Sequence, residues 1–452
     1  APDVKPYVEH FRKLQEQGVI DPAGVRYRIY EDLAEVNTTV AALFVDGEPA
    51  EEASASQAVE VLLPETVFYV EAGGQVSDTG SIRGTGWEIE ISEMRRPAAG
   101  LISHIGEVVS GRPRVGDKAI AEVDQARRHD IRRNHTATHL LHAALHQVLG
   151  EGARQAGSLV APDRFRFDFN HPEAMTAEQL ERVEKIVNES VAADYTVTAR
   201  IKSREEAIAE GAMALFGEKY GEVVRTITVG DPDDRYSYEL CGGTHLDRTS
   251  DVGAFLIVSE SSAAAGIRRI EAVTGRGAYE LVAKRFKLLK SAATVLKSSV
   301  EEVPVKAEMV MDELAATKKQ LAAARAELAL STFYQQLANV SNVNGVNLLV
   351  AKMQGLDKET LTKLSDAFRA KFPENGVCVI ASTGEAVMVM AAVTQDLIKK
   401  GLKAGDLVGH ISRQLGAGGG GAPHLAFGGG KDASKLNEAL DSVGSWLQEK
   451  VK

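Results

Sequence analysis

Two short segments gather the residue types that could hold a metal ion: His135-Thr136-Ala137-Thr138-His139 and Cys241-Gly242-Gly243-Thr244-His245. Imidazole and thiolate donors in this combination suit Zn²⁺ in both number and type. In a helix, residues four apart sit one turn apart on the same face, so His135 and His139 can converge on one ion. Residues 133–145 are rich in Leu, Ala and His and meet no Gly or Pro until Gly150, which predicts that helix. His142 and His146 fall on the same face, and on geometry alone any two adjacent histidines of the four could be the ligands. In the second segment Gly242 and Gly243 predict a tight turn. A turn can still aim Cys241 and His245 the same way. A metalloprotease helix needs Glu directly after its first His; Thr136 stands there instead.

Composition bounds the rest. At about 100–200 residues per domain, 452 residues suggest about three domains. The chain is 44% hydrophobic and 25% charged, ordinary for a soluble globular protein. No apolar run could span a bilayer, and the polar start Ala1-Pro2-Asp3-Val4-Lys5 is no signal peptide. The expected location is therefore cytoplasmic, with no membrane partner. Two cysteines provide no disulfide framework. Cys378 sits in the apolar run 376–380 and is expected in a core, which leaves Cys241 for a metal in a reducing compartment. A net charge of −11 argues against indiscriminate coating of nucleic acid, while Arg127-Arg128, Arg132-Arg133 and Arg268-Arg269 still permit local basic surfaces.

The elements that must position these residues read as an α+β multidomain chain. Residues 1–20 contain a short helix with no visible partner, read as the remnant of an upstream helical linker. Residues 21–125 carry short apolar runs at 39–45, 59–63 and 87–91, punctuated by Gly and Pro, which predicts an N-terminal β-barrel subdomain. Residues 126–272 mix helices with strands and hold both ligand segments, a zinc-containing α+β core. Residues 273–340 are rich in Ala, Leu, Lys and Glu and are broken by Pro304, which predicts a helical hairpin. Leu314, Leu321 and Leu328 recur every seven residues, a short seam that could pack in cis on the first helix or form an oligomer. Residues 341–452 read as a C-terminal α/β domain, with strands at 346–350, 377–381 and 386–393 and helices at 358–371, 396–402 and 433–450. The glycine-rich stretch 416–430 is expected as a loop that a ligand's phosphate backbone could approach closely, although it lacks the Lys-Ser/Thr ending of a P-loop.

In their order along the chain these motifs resemble the editing and C-terminal regions of alanyl-tRNA synthetases. The likeness is carried by Glu71-Ala72-Gly73-Gly74-Gln75 and Asp78-Thr79-Gly80 within 68–80, Asn134-His135-Thr136-Ala137-Thr138-His139, Gln155-Ala156-Gly157-Ser158, Cys241-Gly242-Gly243-Thr244-His245 and the late glycines. It implies hydrolysis of the aminoacyl ester of Ser-tRNA(Ala) and Gly-tRNA(Ala). A pocket built for a methyl group cannot exclude glycine, and one extra hydroxyl gives only about a hundredfold rejection, so a second site must remove the errors.

The resemblance also implies Zn²⁺ on His135, His139, Cys241 and His245. Four protein ligands describe a closed site, however, whereas catalysis by the ion needs an open position. Zinc is therefore expected to position the substrate and polarise the reacting groups. Gln155 is implied to orient water or the terminal ribose through its amide, Thr79 to sense the serine hydroxyl, and Gln75 to belong to the cavity.

The C-terminal domain is implied to contact the outer corner of tRNA(Ala). Candidate tRNA contacts are Arg268, Arg269, Lys399, Lys400, Lys403, Arg413, Gly419 and Gly420. Many relatives carry Arg-Pro after these glycines; here Ala422-Pro423-His424 stands in that place. No segment resembles the aminoacylation core with its ATP-binding motifs, and the chain begins at Ala1 without Met. A C-terminal synthetase fragment that edits without charging is the expectation. The alternatives are a free-standing editing protein and a non-catalytic, zinc-stabilised tRNA-binding module. A homo-oligomer through the helical and C-terminal regions is also possible on this sequence.

Overall fold

The computed structural model describes residues 4–214, 221–384 and 386–451. The polar start at Ala1 lies outside them. The chain divides into two compact units, Ala1–Leu288 and Leu289–Lys452.

The first unit opens with the helix Lys5–Glu16, whose Tyr7, Phe11 and Leu14 are buried. That apolar stripe gives the helix the partner the sequence did not reveal. Tyr7 stacks on Phe44 at 4.3 Å, and its hydroxyl donates to Glu60 at 2.8 Å. The stripe joins the core of an eight-stranded antiparallel sheet. The order runs Glu35–Thr39, Lys118–Val123, Gly80–Gly84, Trp87–Ala98, Leu101–Ser110, Ala58–Leu62, Ala42–Val45, Glu48–Ala50. The expected barrel is not closed. Glu35–Thr39 and Glu48–Ala50 are the two ends of a linear order and do not pair with each other. Alternation in Trp87–Ala98 puts Trp87, Ile89 and Ile91 inward, as a half-buried strand requires.

The sheet leads into the long helix Gln125–Leu149. Asp124 caps it by accepting from the Arg127 amide at 3.0 Å, and Gly150, at φ 91°, ends it. Its apolar face, with Ile131, Leu140, Leu141 and Leu145, packs on Phe165, Phe167, Phe169 and Ile270. Three of these belong to the strand Phe165–Asn170 of a four-stranded sheet with Gln155–Val160, Ile267–Thr274 and Phe255–Ala264. A second helix, Ala177–Ala192, starts with a capping box between Thr176 and Gln179. A three-stranded sheet, Val197–Ser203, Val223–Asp231 and Asp234–Leu240, delivers the chain to Cys241.

The helix Gly275–Leu296 crosses the boundary between the units. Pro304 occupies the first turn of the next helix, Val303–Gln336, where its missing N–H is no loss. Only Ala329 and Phe333 of that helix are buried among the described residues. The seam leucines Leu314, Leu321 and Leu328 are 46%, 49% and 68% exposed.

The second unit is built on a six-stranded sheet in the order Ser341–Val343, Val346–Gln354, Gly376–Thr383, Val387–Val393, Leu425–Gly430, Gly419–Ala422. Val346–Gln354 and Gly376–Thr383 are parallel, joined through the helix Lys358–Lys371 as a parallel crossover demands. The glycine-rich stretch is a hairpin of two sheet strands rather than a loop. Its glycines let the helix Ala404–Gln414 lie against it: a Cβ on Gly419 would meet Val408 at 2.5 Å, and one on Gly428 would meet the same side chain at 2.5 Å.

Candidate metal centre

The helix places His135 and His139 one turn apart, and the turn after Asp234–Leu240 brings Cys241 and His245 to them. One donor atom from each of the four lies within 4.8 Å of all the others. Cys241 Sγ is 3.4 Å from His135 Nε2 and 3.3 Å from His245 Nε2.

Each imidazole is oriented through its other nitrogen. His135 Nδ1 donates to Gln75 Oε1 at 2.7 Å. His245 Nδ1 sits 3.3 Å from Thr136 Oγ1. His139 Nδ1 lies 3.1 Å from Glu239 Oε2, within ion-pair reach but off the line of a hydrogen bond. A ring held at Nδ1 presents the Nε2 lone pair, the usual arrangement behind a metal-binding histidine.

Gln75 is buried and does not line the cavity described below; its Oε1 also accepts from the Thr244 amide at 2.8 Å, and its Nε2 donates to Thr244 Oγ1 at 2.9 Å. It therefore ties the helix ligand to the turn ligands.

The turn itself is pinned. Arg225 Nη1 donates to the carbonyls of Cys241 at 3.1 Å and Gly243 at 2.8 Å, and the Tyr30 hydroxyl donates to Gly242 O at 2.6 Å. Arg132 donates to the carbonyl of His245. A Cβ on Gly243 would stand 1.9 Å from His135 Cε1 and 2.7 Å from Gln75 Oε1, so only glycine fits between turn and helix.

The electrostatics favour ligation. Burial opposes charge on Cys241, but the imidazoles of His135 and His245 outweigh it, and the thiol pKa falls well below its usual value. Burial, reinforced by His135, holds His245 down in the neutral form. For His139 burial works the other way from Glu239, which wins and raises the pKa to about 10. Three imidazoles and a thiol ready to ionise converge on one point and fit a tetrahedral Zn²⁺ site, with His139 giving up its proton on binding.

Beside the cluster lies a cavity of about 230 Å³. Tyr27, Tyr30 and Tyr69 wall it, and His135, His139 and Cys241 border it. The tyrosine hydroxyls are committed to backbone: Tyr27 accepts from Val70 N, Tyr69 donates to Ala72 O, and Tyr30 serves the turn. Burial raises Tyr27 to about 12, so that hydroxyl stays protonated at neutral pH. Gln155 and Arg96 are the lining polar side chains that make no hydrogen bond within the chain, among the described residues.

The sequence-predicted residues thus separate. His135, His139, Cys241 and His245 come together, Gln155 lines the cavity, and Gln75 stands behind His135. Thr79 is not in the lining; its carbonyl accepts from the Asp124 amide at the head of the histidine helix. His142 turns to Glu239 at 3.0 Å instead of the cluster. Arg268 and Arg269 are engaged by carboxylates. Arg269 faces Asp168 across the strands and pairs with it at 2.7 Å, and Arg268 pairs with Glu260 at 2.5 Å. The paired charges of 127–133 are also matched: Arg128 with Asp78, and Arg132 with Asp32. In the second unit Lys399, Lys400 and Lys403 flank the helix Ala404–Gln414, which contains Arg413, and Gly419 and Gly420 lie in the edge strand.

Glu239 and Arg96 were missed. Glu239 stands two residues before Cys241 on a strand, so alternation could have placed both on one face. Nothing local marks Arg96.

The tRNA synthetases class II (A) family matches residues 5–127. The threonyl and alanyl tRNA synthetase second additional domain matches 224–271, and the DHHA1 domain matches 345–449. An alanine–tRNA ligase of Bordetella avium is 43% identical over 441 residues, 97% of this chain and 50% of that protein. One from Geobacillus thermodenitrificans is 43% identical over 423 residues, 94% of this chain and 48% of that protein. The chain therefore spans about half the length of the curated relatives it matches. Among solved structures, the C-Ala domain of Aquifex aeolicus alanyl-tRNA synthetase matches at 28% identity, covering 24% of this chain and 97% of that one with a TM-score of 0.23. No helix among the described residues is long and apolar enough to cross a membrane.

Proposed function

Because the chain belongs to the alanyl-tRNA synthetase family, we propose that its first unit edits, hydrolysing the aminoacyl ester of Ser-tRNA(Ala) and Gly-tRNA(Ala). The observation that carries this reading is the cavity. At about 230 Å³ it is smaller than the roughly 300–1,000 Å³ of ordinary small-molecule sites. It suits a small aminoacyl group and a ribose edge, with the ligand cluster against it.

The tyrosine wall excludes bulky side chains and shapes the entrance; its hydroxyls, already bonded to backbone, are not proton carriers. Gln155, with its amide unspent, orients the attacking water or the terminal ribose hydroxyl. Arg96 meets the phosphate next to the reacting sugar, a contact that sets register rather than sequence. His135, His139, Cys241 and His245 would hold Zn²⁺, which when bound would supply Lewis-acid polarisation of the aminoacyl end. Gln75, Thr136 and Glu239 keep the three imidazoles in the ligating tautomer. In the second unit, Lys399, Lys400, Lys403 and Arg413, with the backbone of Gly419 and Gly420, are proposed to meet the outer corner of the tRNA.

Incubation of the full chain with seryl-tRNA(Ala) and alanyl-tRNA(Ala), following ester loss, tests the reading. Fast serine release with slow alanine release is expected. Tight binding with no release of either would instead make the protein a zinc-stabilised tRNA-binding module, for which four converging protein ligands are the specific argument. His139→Ala should lose both bound zinc and serine release; full retention of both would remove the metal from the reading.

A further inference from the structure

On the side of Glu239 away from the cluster, the same helix carries a second histidine pair that the editing reading does not use. His142 and His146 are four residues apart, with ring centroids at 4.5 Å. The Nε2 atoms of both are buried and have no hydrogen-bond partner among the described residues. A buried polar nitrogen without a partner has lost its water with nothing in return, and two side by side call for a ligand.

The tautomer of His142 says what kind. Its Nδ1 faces Glu239 Oε1 at 3.0 Å, where a carboxylate oxygen accepts and the ring nitrogen donates. The proton therefore sits on Nδ1, and Nε2 carries a lone pair. Both rings border a separate cavity of about 380 Å³, and Glu151 is its one carboxylate among the described residues. Arg154, also in the lining, is exposed.

We infer that His142 and His146 form a second site, for a divalent transition-metal ion such as Zn²⁺, Ni²⁺ or Co²⁺, held by the two imidazoles with solvent at the remaining positions. Imidazoles at i and i+4 on a helix are a chelating pair, and imidazole nitrogens suit borderline first-row ions over Mg²⁺ or Ca²⁺. Glu239 then stands behind both sites, holding His139 with one oxygen and His142 with the other. The two sites differ in one respect that can be measured: the first contains a thiolate and the second does not.

Titration of the metal-stripped full chain with Co²⁺ separates them. The first equivalent should bring the thiolate-to-cobalt charge-transfer band from Cys241. A second, weaker equivalent should add ligand-field intensity without that band. His146→Ala should bind one equivalent with the charge-transfer band unchanged, and Cys241→Ser should lose the band and keep ligand-field absorption from the second site. Saturation of the wild-type protein at one equivalent would overturn the proposal and assign the orphan nitrogens to a bridging water. Two equivalents on His146→Ala would overturn it as well. Should that variant fail to fold, the wild-type stoichiometry and spectrum decide alone. None of these outcomes depends on whether the protein hydrolyses an aminoacyl ester.

Discussion

The two cysteines sit in different units and show two uses of burial. In the first unit Cys241 lies among imidazoles, and His135 and His245 overcome the burial that would keep its thiol neutral. In the second, Cys378 lies in the strand Gly376–Thr383, packed with Leu349, Ile380, Met390 and Phe368, and burial pushes its thiol up unopposed. One region spends its interior on polar groups that fix one another. The other encloses apolar side chains on both faces of its sheet. A thiolate is both the metal ligand and the nucleophile, so only the first cysteine is expected to react.

The largest expected contrast comes from removing each sulfur. Cys241→Ser should reduce zinc affinity by at least about 100-fold, beyond the 10–100-fold typical of outer-shell changes, and serine release should fall with it. Cys378→Ala should leave metal content unchanged and cost about 1–2 kcal/mol in a urea melt, the scale for deleting a small buried group. In the metal-free wild type, iodoacetamide should label Cys241 rapidly at neutral pH and more slowly as the pH falls through the lowered thiol pKa, while Cys378 stays unlabelled. Equal labelling of both would erase the comparison.

A pair of glycines sharpens it next. Gly243→Ala forces a Cβ to 1.9 Å from His135, so ligand geometry should break, and metal content measured after dialysis should drop. Gly420, in the edge strand of the second unit, has nothing within 4 Å of a built Cβ. Gly420→Ala should change neither folding nor metal content. If tRNA affinity also holds, that glycine is not needed for a close approach.

These pairs also show what could be read from the chain and what could not. The two ligand segments were legible because helix periodicity and a double-glycine turn each act over five residues. The choice among four histidines was not, since all lie on one helix face; Glu239, 97 residues from His142 in sequence, draws that ring off the cluster. The strands near 59, 87, 346 and 377 were visible as apolar runs. Whether the first sheet closes depends on pairing between its two ends, and no run of residues encodes that. The glycine-rich stretch misled because composition reports backbone freedom, while the fold uses absent side chains so that Val408 and Ser412 can lie against the hairpin. The leucine repeat marks a seam without naming its cover. The helix Lys5–Glu16 looked orphaned because its partner is a core assembled from strands as distant as Lys118–Val123.

A smaller effect is expected where a residue acts through another. Glu239→Gln should weaken metal binding by about 10–100-fold with the four ligands intact. It should also change the pH dependence. In the metal-free protein Glu239 raises His139 to about 10, so at neutral pH that ring is protonated and the ion must displace a proton. Affinity should therefore rise with pH until about 10 and flatten above it. With glutamine at 239 the His139 pKa falls, fewer protons are released on binding at pH 8, and the slope in that range becomes shallower. Calorimetry in buffers of different ionisation enthalpy counts those protons. An unchanged proton count would mean that Glu239 does not hold His139.

The smallest effect, and the one that bears most on specificity, belongs to Thr79. The proposed role is recognition of the serine hydroxyl, yet the residue stands at the head of the histidine helix, where its carbonyl takes the Asp124 amide at 2.8 Å. Thr79→Val keeps that backbone contact and removes only the hydroxyl. If the hydroxyl reaches substrate, serine release should slow by about 10-fold, the scale of one neutral hydrogen bond of roughly 1.4 kcal/mol, while glycine release is spared. If it serves the fold alone, both substrates should respond together. Discrimination would then rest with the lining itself, where Gln155 and Arg96 are the uncommitted polar side chains among the described residues, while Ser158 donates to Gly73 O at 3.3 Å and Thr138 to His135 O at 2.7 Å.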